Sequence, residues 1–307
     1  MKQFTSVNDI NSVDEMLKLA AACKANPIEQ IGKNKTLGLV FFNPSLRTRL
    51  STQKAAYNLG MNVIVMNVGE AWNIEFEDGA IMNGSSQEHI KDAVSVISSY
   101  CDIIGVRTFP GLKNADEDYS EPVLNAFLKY SQKPIISLES ATLHPLQSLT
   151  DMLTIQELGI TKPKVVLSWA PHPKALPHAV SNSFLEWVSK TNADITIAHP
   201  KGYELSPKYA QNIKVVNDQR EAFSGADIIY CKNWSSFSDY GARPQVDKNW
   251  TIDAEKMSLT NNAHFMHCMP IRRNVIATDE VIDNSIIYNQ AANRVWSAQA
   301  VLKQMLS

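Results

Sequence analysis

The chain of 307 residues has few cysteines and no long apolar run, and both absences narrow the class of protein. Its cysteines, Cys23, Cys101, Cys231 and Cys268, are far apart and form no CxxC pair, so we expect neither a zinc site nor a disulfide framework. The polar N-terminal stretch lacks a signal-peptide apolar core, and no run approaches the ~20 apolar residues that span a bilayer. A cytoplasmic enzyme with reduced thiols and no membrane partner is expected.

The chain also lacks a large excess of one charge and the glycine-rich loops that hold nucleotides. Its formal net charge is −2, whereas a general nucleic-acid binder is usually basic, so no nucleic-acid partner is expected. A local basic pocket for a small anion remains compatible with this balance. No GxxxxGK[ST] loop occurs, and prolines stand in APHPKALPHA where a dinucleotide site needs glycines. A nucleotide kinase and a nicotinamide dehydrogenase are therefore disfavoured.

Short β-rich runs alternate with helical patterns along the whole chain, which predicts an α/β protein with parallel sheets. The predicted strands are Leu37–Phe42, Val63–Met66, Ile103–Val106, Ile135–Leu138, Val165–Trp169, Ile195–Ala198, Lys214–Val216, Ile228–Cys231, Ala263–His267 and Ser285–Tyr288. The predicted helices are Thr48–Asn58, Glu88–Ser99, Glu121–Tyr130, Pro145–Glu157, Ala179–Val188 and Ala292–Met305. The length fits two such domains. We predict one at 1–143, with a terminal helix 291–307 packing back on it, and one at 144–290, joined by a bridging helix 145–157.

Polar residues follow most of the predicted strands, and open α/β sheets bind ligands just beyond the carboxyl ends of their strands. These residues are Ser45, Arg47, Thr48, Trp72, Arg107, Glu139, His144, Gln147, His172, Lys232, Cys268, Arg272, Arg273 and Arg294. We therefore expect an active site in the cleft between the two domains.

The segment SLRT, residues 45–48, has the composition of an anion site. If Ser45 caps a helix that starts there, the first-turn N–H groups and the helix dipole favour a phosphate. Arg47 adds a planar fork that matches phosphate geometry. A capped surface helix with solvated arginines explains the segment about equally well. Arg107, which emerges from a different strand end, favours the phosphate interpretation.

Two further motifs have functional and structural interpretations. In HPLQ, His144 and Gln147 share a helix face, so they could address a carbonyl oxygen and an NH₂ group of one ligand; a helix-capping histidine is the alternative. In HCMPIRRN, Cys268 could be a nucleophile, although inert packing is the commoner role of such a cysteine. The two following arginines suit a second anion, such as a carboxylate. Trp72, in an acidic loop, is either a packing anchor or an interface contact.

SLRTR resembles the STRTR phosphate motif of the aspartate/ornithine carbamoyltransferases, HPLQ looks like their HPxQ, and HCMP resembles the HCLP of the ornithine branch. The order and spacing of the motifs agree along almost the whole chain. Within that family, FFNPSLRTR, WAPHP, CKNW and AANR are similar to the branch that acts on N-acylated ornithine. The resemblance implies a carbamoyltransferase fold with two domains, with a backbone knot near the proline-rich loop 171–177.

The resemblance also implies residue roles, without a metal or an organic cofactor. Carbamoyl phosphate would be bound by Ser45, Leu46, Arg47, Thr48, Trp72, Arg107, His144, Pro145, Leu146, Gln147, Cys268, Met269 and Arg294. Of these, Thr48, Arg107, His144 and Gln147 would be catalytic, and Trp72 would reach in from a neighbouring subunit of a homotrimer. The acylornithine would contact Glu139, His172, Lys232 and Arg272.

Departures from the family pattern bear on the amino-acid substrate. Lys232 opens the stretch KNWSSF where the ornithine branch carries an SMG motif, and a lysine suits an amide and carboxylates. Leu46 replaces a frequent threonine, although its backbone N–H still serves phosphate. At the position of Gln87 this branch has proline with succinyl and glutamate with acetyl substrates, and glutamine would not repel a second carboxylate. We expect N-succinylornithine. N-acetylornithine, free ornithine and a non-catalytic anion-binding role remain alternatives, while an aspartate carbamoyltransferase is disfavoured.

The expected reaction transfers a carbamoyl group to the δ-amine of the acylornithine. Only about one such amine in a few thousand is neutral at pH 7, since its pKa is about 10.4. No protein base is evident, so the departing phosphate is the expected proton acceptor, as the resemblance implies. The arginines would stabilise that phosphate, and His144 with Arg107 would stabilise the carbonyl oxygen.

Overall fold

The computed structural model describes residues 1–69, 72–242 and 247–307. It divides into two compact units. The first consists of Met1–Pro110, Asp116–Leu149 and Arg294–Ser307, and the second of Gly111–Ala115 and Thr150–Asn293. The predicted division lies between residues 143 and 144, whereas this grouping places residues 144–149 in the first unit and residues 111–115 in the second.

The first unit is built on a five-stranded sheet in which every neighbouring pair is parallel. Its elements are β1 (Gln3–Phe4), α1 (Val13–Ala25), β2 (Thr36–Phe41), α2 (Arg47–Asn58), β3 (Asn62–Asn67), β4 (Ile74–Glu75), β5 (Glu88–His89), α3 (Ile90–Tyr100), β6 (Ile103–Arg107), α4 (Ala115–Tyr119), α5 (Pro122–Tyr130), β7 (Ile135–Glu139) and the start of α6 (Pro145–Gln156). The strand order is β1-β7-β6-β2-β3, and β4 and β5 form a separate parallel pair.

The central strands of this sheet are apolar and buried almost throughout, as expected for parallel strands covered on both faces. Helices α3 and α5 pack an apolar stripe against them, with Val94 and Phe127 fully buried in the same cluster as Val40 of β2. The sheet thereby fixes the carboxyl ends of β2, β6 and β7 at one edge, where the predicted phosphate residues begin.

The second unit repeats this architecture with another parallel five-stranded sheet. Its elements are β8 (Lys164–Trp169), α7 (Ala179–Val188), β9 (Asp194–Ala198), α8 (Pro207–Ala210), β10 (Lys214–Val216), α9 (Gln219–Phe223), β11 (Ile228–Lys232), α10 (Ala254–Met257), β12 (His264–Met266), α11 (Asp279–Asp283) and the start of α12 (Ile287–Leu306). The strand order is β10-β9-β8-β11-β12. Large aromatic residues fill the core, and the rings of Phe184 and Tyr230 stack with centroids 4.2 Å apart.

The prediction of two parallel-sheet α/β domains is confirmed, and one predicted strand is wrong. The run Ser285–Tyr288 leads into helix α12, because its short apolar pattern is also the first turn of an amphipathic helix. The sequence pattern also misses α1, whose N-terminus is capped by the Ser12 hydroxyl accepting from the Glu15 N–H at 3.3 Å.

The C-terminal part of α12, from Arg294 to Ser307, belongs to the first unit. The Asn58 side-chain amide donates to Gln299 Oε1 at 2.9 Å, and the Gln299 amide donates to the Pro27 carbonyl at 2.8 Å. An ion pair between Lys303 and Glu29 adds a further contact. Within the described part of the chain, no helix has the length and apolarity that a bilayer span requires.

Candidate active site

The segment between β2 and α2 presents a helix N-terminus with the SLRT residues on it. Helix α2 begins at Arg47, its N-cap is Leu46, and no side chain at that position accepts from the first-turn N–H groups. The prediction that Ser45 caps this helix is therefore wrong, since the chain enters the helix one residue later. Leu46 is 65 % exposed, and Thr48 is buried. This arrangement leaves backbone donors and the positive end of the helix dipole suited to an anion.

Arg107 is held at the end of β6 by a buried carboxylate. Its Nε and Nη2 donate to Glu139 Oε2 at 3.3 and 2.9 Å, and Nη1 donates to the Pro44 carbonyl. The ladder between β6 and β7 shifts register between Val106 and Arg107, which pairs Arg107 with Glu139. Because Arg107 is only 7 % exposed and contacts the loop before α2, its guanidinium is fixed beside the SLRT segment.

His144 shares the carboxylate of Glu139 with Arg107. The His144 Nε2 lies 3.6 Å from Glu139 Oε2, and both side chains are buried. The structure therefore brings the two residues predicted to act on the carbonyl oxygen to one anion. Glu139, predicted as an acylornithine contact, is in this structure the counter-ion of Arg107.

A second buried cluster joins three predicted residues from distant parts of the chain. Arg294 Nη2 donates to Thr48 Oγ1 at 2.8 Å, and its Nη1 donates to Gln147 Oε1. All three side chains are at most 5 % exposed. Pro145 and Leu146 are the first residues of α6, and Gln147 lies in the first turn of that helix. An amide oxygen such as that of Gln147 has two lone pairs and is the kind of acceptor that an NH₂ group requires.

Trp72 also lies in the first unit, and its side chain makes a hydrogen bond to a residue of that unit. Its indole N–H donates to Glu88 Oε2 at 2.8 Å, and the ring packs against the α3 cluster. Gln87, at the position that bears on the acyl group, connects the two ends of this loop. Its Oε1 accepts from the Asn73 N–H at 2.6 Å, and its backbone N–H donates to the Asn73 carbonyl at 2.9 Å. The side chain of Gln87 is therefore part of the local fold.

In the second unit, His172 and Arg272 form a direct contact. Arg272 Nε donates to His172 Nε2 at 3.0 Å. The Nδ1 lies 2.9 Å from the Lys174 carbonyl oxygen and 3.1 Å from the Lys174 backbone nitrogen, so both ring nitrogens are engaged. Burial lowers the pKa of His172, and the charges of Arg272 and Lys232 act in the same direction. A neutral imidazole between two cations suits a carboxylate ligand.

Lys232 and Arg272 belong to different segments of the second unit, and the charges of both act on His172. Arg273 is engaged elsewhere. Lys232 ends β11 opposite Trp169 of β8, so the sheet fixes it near the start of the His172 loop. Arg273 is exposed, and its guanidinium donates to Asp279 and Asp283 at 2.7 Å each. Of the two arginines in HCMPIRRN, only Arg272 contacts another predicted site residue in the described structure.

In the turn after β12, the backbone N–H of Met269 is engaged by the side chain of His267. The Met269 N–H donates to His267 Nδ1 at 2.9 Å. The backbone φ of Met269 is +55°, a value that residues other than glycine rarely adopt. The Cys268 and Met269 carbonyls are then the backbone atoms that could accept from an NH₂ group. Gln290 supports the turn, since its Oε1 accepts from the His267 N–H at 2.9 Å and its amide donates to Asp151 Oδ1 at 2.7 Å.

Sequence patterning does not point to the residues that organise these clusters. Asn43 Oδ1 accepts from the Phe109 N–H at 2.6 Å and so joins the loops after β2 and β6. Gln290 joins α12 to the β12 turn. Each contact links segments far apart in sequence, and only the fold reveals it. Among residues 1–69, 72–242 and 247–307, no group of three or more His, Cys, Asp or Glu side chains could hold a metal ion.

The shifted pKa of His172 predicts a pH dependence of stability. Above the ordinary value of 6.5, His172 is neutral in both the folded and the unfolded chain. As the pH falls below 6.5, the unfolded chain takes up the proton first, so the free energy of unfolding decreases until the folded pKa is passed. We expect His172→Gln to show a shallower decrease than the wild type in chemical denaturation between about pH 7 and pH 5. His264→Gln, at an exposed histidine, is the control, and equal slopes for all three proteins would contradict the prediction.

Comparison with known proteins identifies the family. Residues 2–157 match the carbamoyl-P binding domain of aspartate/ornithine carbamoyltransferase, and residues 177–305 match its Asp/Orn binding domain. An N-succinylornithine carbamoyltransferase of Bacteroides fragilis (strain 638R) is 50 % identical over 314 residues, covering 100 % of this chain and 99 % of the relative. An N-acetylornithine carbamoyltransferase of Xanthomonas axonopodis pv. citri (strain 306) is 38 % identical over 334 residues, covering 100 % and 97 %.

A solved structure agrees with these sequence matches. A variant of an N-acetyl-L-ornithine transcarbamylase complexed with carbamyl phosphate and N-succinyl-L-norvaline superposes with a TM-score of 0.94 at 38 % identity. The match covers 99 % of this chain and 100 % of the solved chain. The chain thus belongs to the aspartate/ornithine carbamoyltransferase family.

Proposed function

We propose that the protein transfers the carbamoyl group of carbamoyl phosphate to the δ-amine of N-succinyl-L-ornithine, giving N-succinyl-L-citrulline and phosphate, a step of arginine biosynthesis. The observation that carries the choice of substrate is the cationic cluster of Lys232 and Arg272 around a neutral His172. An N-succinyl substrate brings two carboxylates, and this cluster offers them charge and donors. The 50 % identity with an N-succinylornithine carbamoyltransferase, against 38 % with an N-acetylornithine carbamoyltransferase, supports the same choice.

The phosphate of carbamoyl phosphate binds at the N-terminus of α2. The backbone N–H groups of residues 45–48 and the guanidinium of Arg47 surround it, and the Thr48–Arg294 hydrogen bond keeps a second guanidinium near the same helix turn. Each charge-assisted hydrogen bond of this kind contributes about 1.5–3 kcal/mol. The positive end of the α2 dipole adds to this attraction.

Arg107 and His144 act on the carbonyl oxygen of the carbamoyl group. As the amine nitrogen bonds to the carbonyl carbon, negative charge grows on that oxygen, and fixed donors stabilise it. The bond from carbon to the phosphate oxygen then breaks, and the departing phosphate accepts the proton that the amine loses. Gln147 and the carbonyls at Cys268 and Met269 accept from the carbamoyl NH₂. Each step uses side-chain and backbone donors and acceptors, with no metal or organic cofactor.

Glu139 has two tasks in this scheme. Its carboxylate aligns Arg107 and His144, which share one of its oxygens. A buried anion between them keeps both donors in one orientation before substrate binds, which lowers the reorganisation that the reaction requires. When acylornithine is bound, Glu139 also contacts that substrate.

A three-substrate assay tests the proposed reaction. Citrulline-type product is measured with carbamoyl phosphate and N-succinyl-, N-acetyl- or free L-ornithine. We expect kcat/KM to be highest with the succinyl compound, by roughly tenfold or more over the acetyl compound, since one desolvated charge pair or buried hydrogen bond accounts for such a difference. Preference for the acetyl compound would contradict the assignment of the acyl group. Preference for free ornithine would contradict the role of Lys232, and binding of carbamoyl phosphate in calorimetry without turnover would favour a non-catalytic protein.

The proposed enzyme is a homotrimer in which Trp72 contributes to the carbamoyl-phosphate site of a neighbouring subunit. The Trp72 loop is largely exposed, and Ile81 near its tip is 85 % exposed although it is apolar. A partner surface that covers such residues would remove them from water. No disulfide joins the four cysteines, and Cys23, Cys101 and Cys231 are buried, which is compatible with the proposed cytoplasmic location.

A further inference from the structure

The loop that carries His144 is fastened by one carboxylate from another part of the chain. Residues 140–143 connect β7 to α6, and Glu121 accepts four hydrogen bonds from this loop. The Ser140 hydroxyl, the Thr142 hydroxyl and the Thr142 N–H donate to its Oε1 at 2.6, 2.6 and 2.7 Å. The Ala141 N–H donates to its Oε2 at 3.1 Å. Only a planar acceptor with two oxygens serves all four donors at once.

Glu121 is itself set in a restricted backbone conformation. Its φ of +51° lies in the left-handed region, which glycine favours and other residues seldom occupy. It is the N-cap of α5 and is followed by Pro122, yet its side chain makes no hydrogen bond to its own helix. The side chain reaches the 140–143 loop instead. The chain therefore keeps an unfavourable backbone at this position while the carboxylate serves another segment.

The fastened loop determines where His144 lies. Thr142 donates two of the four hydrogen bonds and Ser140 donates a third. Thr142 is only two residues before His144. The Ser140 N–H also donates to the Leu143 carbonyl at 2.9 Å, which closes the turn. Because a displacement of about 1 Å in a catalytic geometry costs about a hundredfold in rate, a loose loop would misplace the imidazole. We propose that Glu121 is a positioning residue that sets His144 against the carbamoyl oxygen; this inference rests on the proposed function.

A matched control exists elsewhere in the first unit. Asp9 also accepts four hydrogen bonds from a neighbouring turn, from the Gln3 amide, the Thr5 N–H, the Thr5 hydroxyl and the Ser6 N–H, at 2.7, 2.6, 2.8 and 3.1 Å. That turn carries no predicted site residue. A variant at Asp9 therefore loses a comparable set of hydrogen bonds without touching the His144 loop.

The experiment compares Glu121→Met, Glu121→Gln and Asp9→Leu with the wild type. For Glu121→Met we expect kcat to fall about tenfold to a hundredfold, with the dissociation constant of inorganic phosphate changed by less than about threefold, since phosphate binds at α2. Glu121→Gln keeps one oxygen, the acceptor of three donors, and should recover part of kcat. Asp9→Leu should lower the melting temperature and leave kcat within about twofold of the wild type, because partly buried contacts in a turn without a predicted site residue affect stability alone.

A purely structural role for Glu121 would give a different result. Unchanged kcat in folded Glu121→Met, or in folded Glu121→Gln if the methionine variant does not fold, would overturn the inference. So would equal losses of kcat in the Glu121 and Asp9 variants. The NMR resonances of the His144 ring, assigned through His144→Asn, give a readout that needs no turnover. They should move in the Glu121 variants and not in Asp9→Leu, and an unmoved ring would overturn the inference. An inactive wild type would instead refute the proposed function.

Discussion

Replacement of Arg107 by alanine is expected to lower kcat at least about a hundredfold, since a fixed donor to a developing oxyanion contributes about that much. In the structure Arg107 is buried, and its guanidinium is oriented by Glu139 and by the loop before α2. Such a donor needs little reorganisation when charge develops on the carbonyl oxygen. Turnover is measured with saturating carbamoyl phosphate and N-succinylornithine, so that weaker binding is separated from slower chemistry.

Loss of a counter-ion must be separated from loss of catalysis. Arg107→Ala leaves the Glu139 carboxylate buried without its main partner, which destabilises a protein by about 3–5 kcal/mol. The double variant Arg107→Ala, Glu139→Gln removes that charge and should regain stability without regaining kcat. Arg220→Ala, at an exposed arginine paired with Glu255 at 2.6 Å, is the control and should retain activity. Near-normal turnover of Arg107→Ala would remove this residue from the site.

Recovery of activity in hybrid trimers tests whether Trp72 completes the site of a neighbouring subunit, and the expected effect is large. Trp72→Ala and Arg107→Ala are each expected to be nearly inactive as pure proteins. If Trp72 completes a neighbour's site, co-expression of the two chains with different affinity tags creates sites in which both residues are native. Random assembly at equal amounts gives such a combination at about a quarter of the sites, since each of two independent choices is correct half the time. Activity should therefore recover to about a quarter of the wild-type value.

The two possible locations of Trp72 lead to opposite outcomes in this experiment. The indole N–H donates to Glu88 of its own chain, and the ring packs against its own α3 cluster. If Trp72 acted only within its own subunit, every chain of the mixture would lack either Trp72 or Arg107, and no site would be complete. Absence of recovery in purified hybrids of trimeric mass would then contradict the cross-subunit role. The melting temperature of Trp72→Ala controls for loss of packing.

Much of the fold follows from local sequence patterns. The central strands β2, β6 and β8 are short apolar runs bounded by polar residues, and the structure places strands there. Short patterns are ambiguous where helix and strand have the same apolar residues, which explains the error at Ser285–Tyr288. The exact start of a helix is also hard to predict from sequence. Helix α2 starts one residue later than expected, so its N-cap is Leu46 and not Ser45.

Individual site residues can be predicted from the sequence, whereas the contacts between them require the fold. Strand ends indicate Arg107 and Glu139 separately, but only the pairing of β6 with β7 shows that they form an ion pair. Glu121 gives no local signal, because its partners lie 19 to 21 residues further along the chain. Family resemblance assigns roles to motif residues, whereas supporting residues outside the motifs require the folded chain.

A crystal structure of the protein with carbamoyl phosphate tests the central claim most directly. The account predicts the phosphate at the N-terminus of α2, within hydrogen-bonding distance of Arg47 and the Thr48 N–H, and the carbonyl oxygen within about 3 Å of donors on Arg107 and His144. A bound molecule that contacts only one of these three side chains, or that lies away from α2, would contradict the account.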